Sequence, residues 1–327
     1  MTLKDILAKI PYSSDLYDAI RPVRPKTRYN LSQLEKALPA AVEQVRPYAE
    51  KAPKGKKIIL FATLHYWVEQ AAIIGLALRG MGHEVTIAYL PYGDWDKEIN
   101  AFDLRRQDLY TRRVLSPLKG LVNIVSLLDV PKADVIASER TSASEAIPAR
   151  QANSVKRKIA SSHKPLLAMT GNAMTWLDEA VEAASAFDTM YTLQVEDFDR
   201  DSDLYRLRVA RNRQAALAAT RFLTESRPET VLVPNGLVTE LGIFYQVARH
   251  LDLMTVTYEF NDQREQIWLS QNDIVMRQNT DGLWAAKGNV PLTESEREQI
   301  AGLEEIGTAH VCTPVTASHL GCRLLLE

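Results

Sequence analysis

The stretch from Thr230 to Phe260, TVLVPNGLVTELGIFYQVARHLDLMTVTYEF, constrains the fold more than any other part of the chain. The apolar run Val231-Leu232-Val233 stops at Pro234-Asn235-Gly236. Amphipathic spacing then runs through Leu241, Phe244, Val247, Ala248 and Leu251, and β-branched residues resume at Met254 to Thr257. Strand, tight turn, helix and strand make a βαβ crossover, which predicts parallel strands ending on one edge of a sheet. Open α/β sheets bind ligands along that edge. Asn235-Gly236 from one strand and Tyr258-Glu259 from the next are therefore expected to share a crevice.

A second unit repeats the pattern nearer the N-terminus. Lys57 to Leu64 (KIILFATL) reads as a fully buried strand, Tyr66 to Arg79 as an amphipathic helix, and Glu84 to Leu90 (EVTIAYL) as the next strand. Gly80-Met81-Gly82-His83 closes the helix where left-handed backbone is wanted. The predicted fold class is α/β, a Rossmann-like parallel sheet flanked by helices and preceded by a small helical segment. Within that segment, short helices are broken by Pro11, Pro22 and Pro25; the clearest spans Leu31 to Tyr48, beginning at Asn30 or Ser32. Lys51 to Lys57 reads as a linker. Helices are expected over Lys97 to Val114, Ala143 to Ser161 and Leu204 to Ser226, and from Thr293. Leu121 to Val130 fits strand or helix, Pro165 to Thr170 reads as a strand, and Ile267 to Met276 as a hairpin or short helix.

Composition narrows the class. A formal charge of −2 over 327 residues argues against a general nucleic-acid binder. No apolar run approaches the ~20 residues needed to span a bilayer, and the N-terminus lacks the apolar core of a secretory signal, so a cytoplasmic location is expected. The tail from Ile306 to Glu327 (IGTAHVCTPVTASHLGCRLLLE) resembles a conceptual translation of a short-read DNA-sequencing adapter. It is expected to be non-native and is set aside. Both cysteines, Cys312 and Cys322, lie in it, so the remainder offers neither a disulfide framework nor a cysteine zinc site. The chain is accordingly expected to be a fragment.

Several residues carry candidate chemistry. Gly236 either lets a ligand approach the backbone while helix N–H groups face an anion or sugar hydroxyl, or simply supplies a tight turn with positive φ. Glu240, one turn into the helix, suits either a ligand contact or the helix dipole. Glu259, beside Tyr258, Asn261 and Asp262, could bind sugar hydroxyls or act as a base if burial raises its pKa. His65 follows the first strand and could take a proton from an acceptor hydroxyl. Asp94 and Trp95, after the second strand, could add a carboxylate and an aromatic platform, although loop packing is the simpler reading. Arg206 and Arg213 share a helix face that could clamp a phosphate; a solvated face is the better reading. There is no GxGxxG after a strand, and no GxxxxGK[ST], HExxH or GxSxG, which removes the usual dinucleotide, P-loop, zinc-protease and hydrolase signatures.

The phrase GMGHEVTIAYL, together with PETVLVPNGLVTELGIFYQVARHLDLMTVTYEF and IWLSQN, resembles bacterial capsule and surface-polysaccharide glycosyltransferases of GT-B type, in their N-terminal part. The resemblance covers Lys57 to about Trp284. It implies two Rossmann-like domains with the active site between them, the N-terminal one holding the acceptor. Carried over by position, it implies His65, Asn235, Gly236, Glu240 and Glu259 on the acceptor side; together with the residue readings above, His65 and Glu259 are expected to be catalytic, and Asn235, Gly236, Glu240, Tyr258 and Asp94 substrate-binding. The implied partners are a nucleotide-sugar donor and a glycan or lipid-linked acceptor, with peripheral membrane association admissible and no nucleic acid. No metal or cofactor is called for. The implied division is a helical segment over 1–56, an acceptor-side domain over 57–290, the start of a connecting helix to a missing domain over 291–305, and the non-native tail over 306–327. Two alternatives stay open: another GT-B-like enzyme such as a nucleotide-sugar 2-epimerase, or a non-catalytic carbohydrate-binding or scaffold protein.

Overall fold

The computed structural model describes residues 3–22, 28–129, 173–260, 267–277, 280–298 and 300–302. Six strands form one sheet: β1 (Lys57–Thr63), β2 (Glu84–Leu90), β3 (Asn123–Ser126), β4 (Thr230–Pro234), β5 (Met254–Phe260) and β6 (Ile267–Gln271). Their order is β3-β2-β1-β4-β5-β6. The first five run parallel; β6 pairs antiparallel with β5. The fold is thus α/β and Rossmann-like, and the parallel sheet expected from sequence acquires an antiparallel edge.

From β1 the chain moves outward to β2 and β3, then returns to β4 on the other side of β1 and moves outward again to β5. The strand order therefore reverses between β1 and β4, and right-handed crossovers on the two sides put their helices on opposite faces, the place where open α/β sheets form a ligand crevice. Helix α4 (Leu64–Gly80) links β1 to β2, and α8 (Thr239–His250) links β4 to β5, with α5 (Ala101–Leu115) before β3 and α6 (Ala173–Leu193) and α7 (Asp203–Ser226) before β4. Ahead of the sheet lie α1 (Leu3–Leu7), α2 (Ser13–Ile20) and α3 (Ser32–Lys51).

Packing follows the apolar periodicity. Phe61 on β1 stacks on Phe244 of α8, with ring centroids 4.0 Å apart. On α4, Gly75 permits close approach, since a Cβ there would sit 3.3 Å from Ile87 of β2. Leu34, Leu38 and Val42 of α3 belong to the same buried cluster as β1 and β2, so the N-terminal helical segment is part of the core and not an appendage. Complete burial of one large apolar side chain contributes ~1.5–3 kcal/mol, which is ample reason for this segment to dock.

The chain divides into two compact units, Met1–Gln278 and Asn279–Glu327. Within the second, α9 (Asp281–Lys287) is followed by a helical turn over 294–298. Thr293 Oγ1 accepts from the Glu296 N–H at 3.3 Å while Glu296 Oε2 accepts from the Thr293 N–H at 2.8 Å, the reciprocal box that starts a helix.

Several expectations are refined. The segment after Leu121 becomes strand β3, because it pairs along β2. The Ile267 segment becomes the hairpin partner of β5, followed by a 3₁₀ turn at Val275–Arg277. The helix expected over 143–161, the strand over 165–170, Asn261, Asp262 and the tail over 306–327 lie outside the described residues. Among the described residues, no helix is long and apolar enough to cross a membrane.

Candidate functional site

The turn after β4 is built by two left-handed residues, Asn235 (φ +56°) and Gly236 (φ +82°). Gly236 is fixed by space as well as by φ, for a Cβ there would fall 2.6 Å from Thr257 Cγ2. The open face of this glycine is filled by β5, so of the two readings of Gly236 the structure favours the turn over the ligand approach.

Asn235 does three things. Its main-chain N–H donates to the Tyr258 carbonyl at 2.7 Å, locking the turn to β5. Its Oδ1 accepts from the Leu237 and Val238 N–H groups at 3.1 and 3.3 Å. Its Nδ2 donates to Glu259 Oε2 at 3.1 Å. The next N–H, of Thr239, donates to Asp188 Oδ1 at 3.0 Å. The N–H groups of Leu237, Val238 and Thr239 are thus taken by the protein's own side chains, the first two through an Asx turn, as the tight-turn reading of this segment implies.

What remains for a ligand is the carboxylate that Asn235 holds. Glu259 is half-buried at the C-terminal end of β5, and burial raises its pKa above the ordinary carboxylate value, with the Asn235 hydrogen bond and the Phe260 N–H opposing. Burial, and then the neighbouring Glu259 and Tyr191, push the Tyr66 phenol up, so Tyr66 shares this electrostatic environment. Tyr66 lies in the first turn of α4 next to His65, their rings meeting edge to face at 5.3 Å. His65 is half-buried, and burial lowers its pKa, favouring the neutral imidazole. The structure therefore joins Asn235 to Glu259 directly and sets His65 and Tyr66 on the same rim, after the adjacent strand β1.

Other expected ligands point elsewhere. Tyr258 is fully buried, its hydroxyl without a hydrogen-bond partner among the described residues. Glu240 is 1% exposed and turned inward, 3.9 Å from Arg208 Nη1 and 3.5 Å from Thr63 Oγ1, so neither a ligand contact nor simple capping describes it. Asp94 lies 3.6 Å from Arg28, and its carbonyl accepts from Arg211 at 2.6 Å. Its loop is thereby pinned, which supports the packing reading. Arg206 and Arg213 are exposed and pair with Asp201 and Asp178, as a solvated face predicts.

The residues that sequence reasoning passed over sit behind the rim. Arg208, completely buried on α7, is 3.0 Å from Asp188 Oδ2 on α6. Burial pushes Asp188 up to about 6, with Arg208 and the Thr239 N–H opposing and Glu240 adding to the rise. Arg211, one turn on, lies over the Tyr92 ring at 4.6 Å and donates to carbonyls of the loop after β2. The backbone is strained at the same place: Leu64 and β-branched Thr239, which open α4 and α8, hold φ at +55° and +51°. Such residues cost ~1–3 kcal/mol each and cluster at functional sites.

Two surface depressions, of about 360 and 310 Å³, are lined by other residues: Lys54, Arg79, Glu84 and Asn123 in one, and Tyr12, Asp15, Phe102 and Arg105 in the other. Among the described residues no group of three or more His, Cys, Asp or Glu is placed to hold a metal ion.

No family model matches the chain, and no curated protein matches it. A solved structure described as a CDPS from Fluoribacter dumoffii overlays 69% of this chain and 94% of its own, at 13% identity and a TM-score of 0.37. A likeness at that level bears on neither fold nor function.

Proposed function

We propose that this chain is the acceptor-side portion of a nucleotide-sugar-dependent glycosyltransferase in surface-polysaccharide biosynthesis. The observation that carries the reading is the Asn235–Glu259 pair, 3.1 Å apart, at the C-terminal rim where the strand order reverses. The resemblance of residues 57–284 supplies the chemistry. An acceptor hydroxyl hydrogen-bonds to the Glu259 carboxylate, and its proton passes to Glu259 or to neutral His65 as its oxygen bonds to the anomeric carbon. The bond from that carbon to the diphosphate breaks, and the nucleoside diphosphate leaves with the electron pair. Partial burial makes Glu259 a stronger base than a surface carboxylate, and a neutral His65 is able to accept a proton at pH 7. Stabilising the departing diphosphate falls to a second α/β domain.

The test begins with the genomic DNA past codon 305, which should continue in frame into that second domain. In the full polypeptide, nucleoside diphosphate released from a panel of UDP-, GDP- and dTDP-sugars with oligosaccharide acceptors is measured. His65→Ala or Glu259→Ala should slow release by ~10²-fold or more, the range for loss of a general base. Unchanged release in both variants, or none from any nucleotide-sugar, rules the reading out.

A further inference from the structure

Trp268 has no role in the structure described so far. It stands directly opposite Glu259 in the antiparallel β5–β6 register. Residues paired this way project from the same face of the sheet, with Cβ atoms ~4.5–5.5 Å apart. Trp268 is nevertheless 46% exposed, on an edge strand where Ile267 and Leu269 are exposed too. A large aromatic left open beside a half-buried carboxylate is an arrangement that binds ligands with one apolar and one polar aspect. Trp95, the aromatic platform expected from sequence, sits instead on the loop pinned by Arg211.

The charge around Glu259 defines the ligand further. Among the described residues no lysine, arginine or histidine forms an ion pair with it; its side-chain donor is the neutral Asn235 amide. The Tyr66 phenol shares its electrostatic environment. An anionic ligand would be repelled by the Glu259 carboxylate, whereas a hydroxyl would find an acceptor in it.

We propose that Trp268 is a stacking platform for the C–H face of an uncharged pyranose whose hydroxyl edge hydrogen-bonds to Glu259. This rests on the acceptor-side reading and deepens it: the sugar held here is a neutral hexopyranose, and uronates are discriminated against. An exposed indole offers a broad apolar contact face that a methyl group cannot replace. Removal of the ring should therefore be readable as a loss of several-fold in affinity.

Saturation-transfer difference NMR on the whole chain tests this, with methyl β-D-glucopyranoside, methyl β-D-galactopyranoside and methyl β-D-glucuronide as probes. Ring C–H protons of the neutral glycosides should receive saturation. Trp268→Ala should raise their Kd about fivefold or more, and Trp268→Phe, which keeps an aromatic face, should restore most of the affinity. The glucuronide should bind several-fold more weakly than the glucoside, and Glu259→Gln should narrow that gap. If Trp268→Ala binds the neutral glycosides as well as the unaltered chain does, the platform is disproved while the acceptor-side reading stands. If no probe receives saturation from the unaltered chain, the acceptor-side reading and the platform fall together.

Discussion

Two polar clusters lie within the same part of this fold and have opposite characters. On the rim, Asn235 and Glu259 make one hydrogen bond to each other, and Glu259 stays half-buried beside an exposed tryptophan. Behind it, Arg208, Asp188 and Glu240 are almost wholly out of solvent and face one another. The first cluster has charge and hydrogen-bonding capacity to spend on a ligand. The second has its charges committed internally, yet all three guanidinium nitrogens of Arg208 lack an aligned hydrogen-bond acceptor. Buried charge is weak evidence for stability and stronger evidence for a constraint on geometry. Here it ties α6 and α7 to the strained first turn of α8. The rim is thus shaped by a cluster that a ligand never has to touch.

The most severe way to break this contrast is to remove the shared cation. Arg208→Met leaves Asp188 and Glu240 as neighbouring buried carboxylates, and stripping one member from a buried ion cluster costs ~3–5 kcal/mol. A urea titration should show that loss, or no cooperative fold at all. Neutralising the acids as well, with Asp188→Asn and Glu240→Gln, should recover most of it. Glu259→Gln, altering the rim cluster instead, should stay within ~0.5 kcal/mol of the unaltered chain. A mild Arg208→Met would mean that the buried set does not hold the helices together.

A milder probe is pH. The Asp188 carboxyl titrates at about 6 in the fold, against 3.8 ordinarily, because burial outweighs Arg208 and the Thr239 N–H. A raised folded pKa means that the native chain holds a proton that the unfolded chain has released. The contribution of Asp188 is therefore most favourable below 3.8 and is lost as pH rises to about 6. Asp188→Asn cannot titrate. The stability of the unaltered chain minus that of this variant should fall as pH rises through that window and level off above it. Parallel curves would show that Asp188 is not held in the environment described.

Much of the fold was legible because it rests on local apolar periodicity. The runs over Lys57–Thr63, Glu84–Leu90 and Met254–Phe260 are strands as read, since a strand buried on both faces has little choice of composition. The Asn-Gly turn was legible too, with two uses open for it, turn or ligand approach. An asparagine ahead of a helix signals an Asx turn, here one that takes the Leu237 and Val238 N–H groups, and that rule was available in the sequence. The arginines of α7 show the limit. Heptad spacing singles out Arg206 and Arg213, whereas the buried face carries Arg208 and Arg211. Nothing local distinguishes these pairs. Arg208 is internal because Asp188 meets it from α6, a helix that has no counterpart in the sequence reading, and such a pairing across separate elements leaves no periodic trace. Trp268 was equally silent, because facing Glu259 depends on the β5–β6 register.

The finest dissection separates the two jobs of Asn235, which supports the turn and also holds Glu259. Glycine at this position keeps left-handed backbone at no steric cost but deletes both the Oδ1 cap and the Nδ2 bond to Glu259. The Asx-turn bonds are replaceable by water at small cost, and one hydrogen bond to a charged group adds ~1.5 kcal/mol or somewhat more. Asn235→Gly should therefore lower stability by ~1–2 kcal/mol, well short of Arg208→Met. The NMR pKa of Glu259 should move as well. The Asn235 amide lowers it in the native chain, so its loss should leave the carboxyl higher still. If Asn235→Gly costs stability without moving the Glu259 titration, the amide serves the turn alone and the pair on the rim has no electrostatic connection.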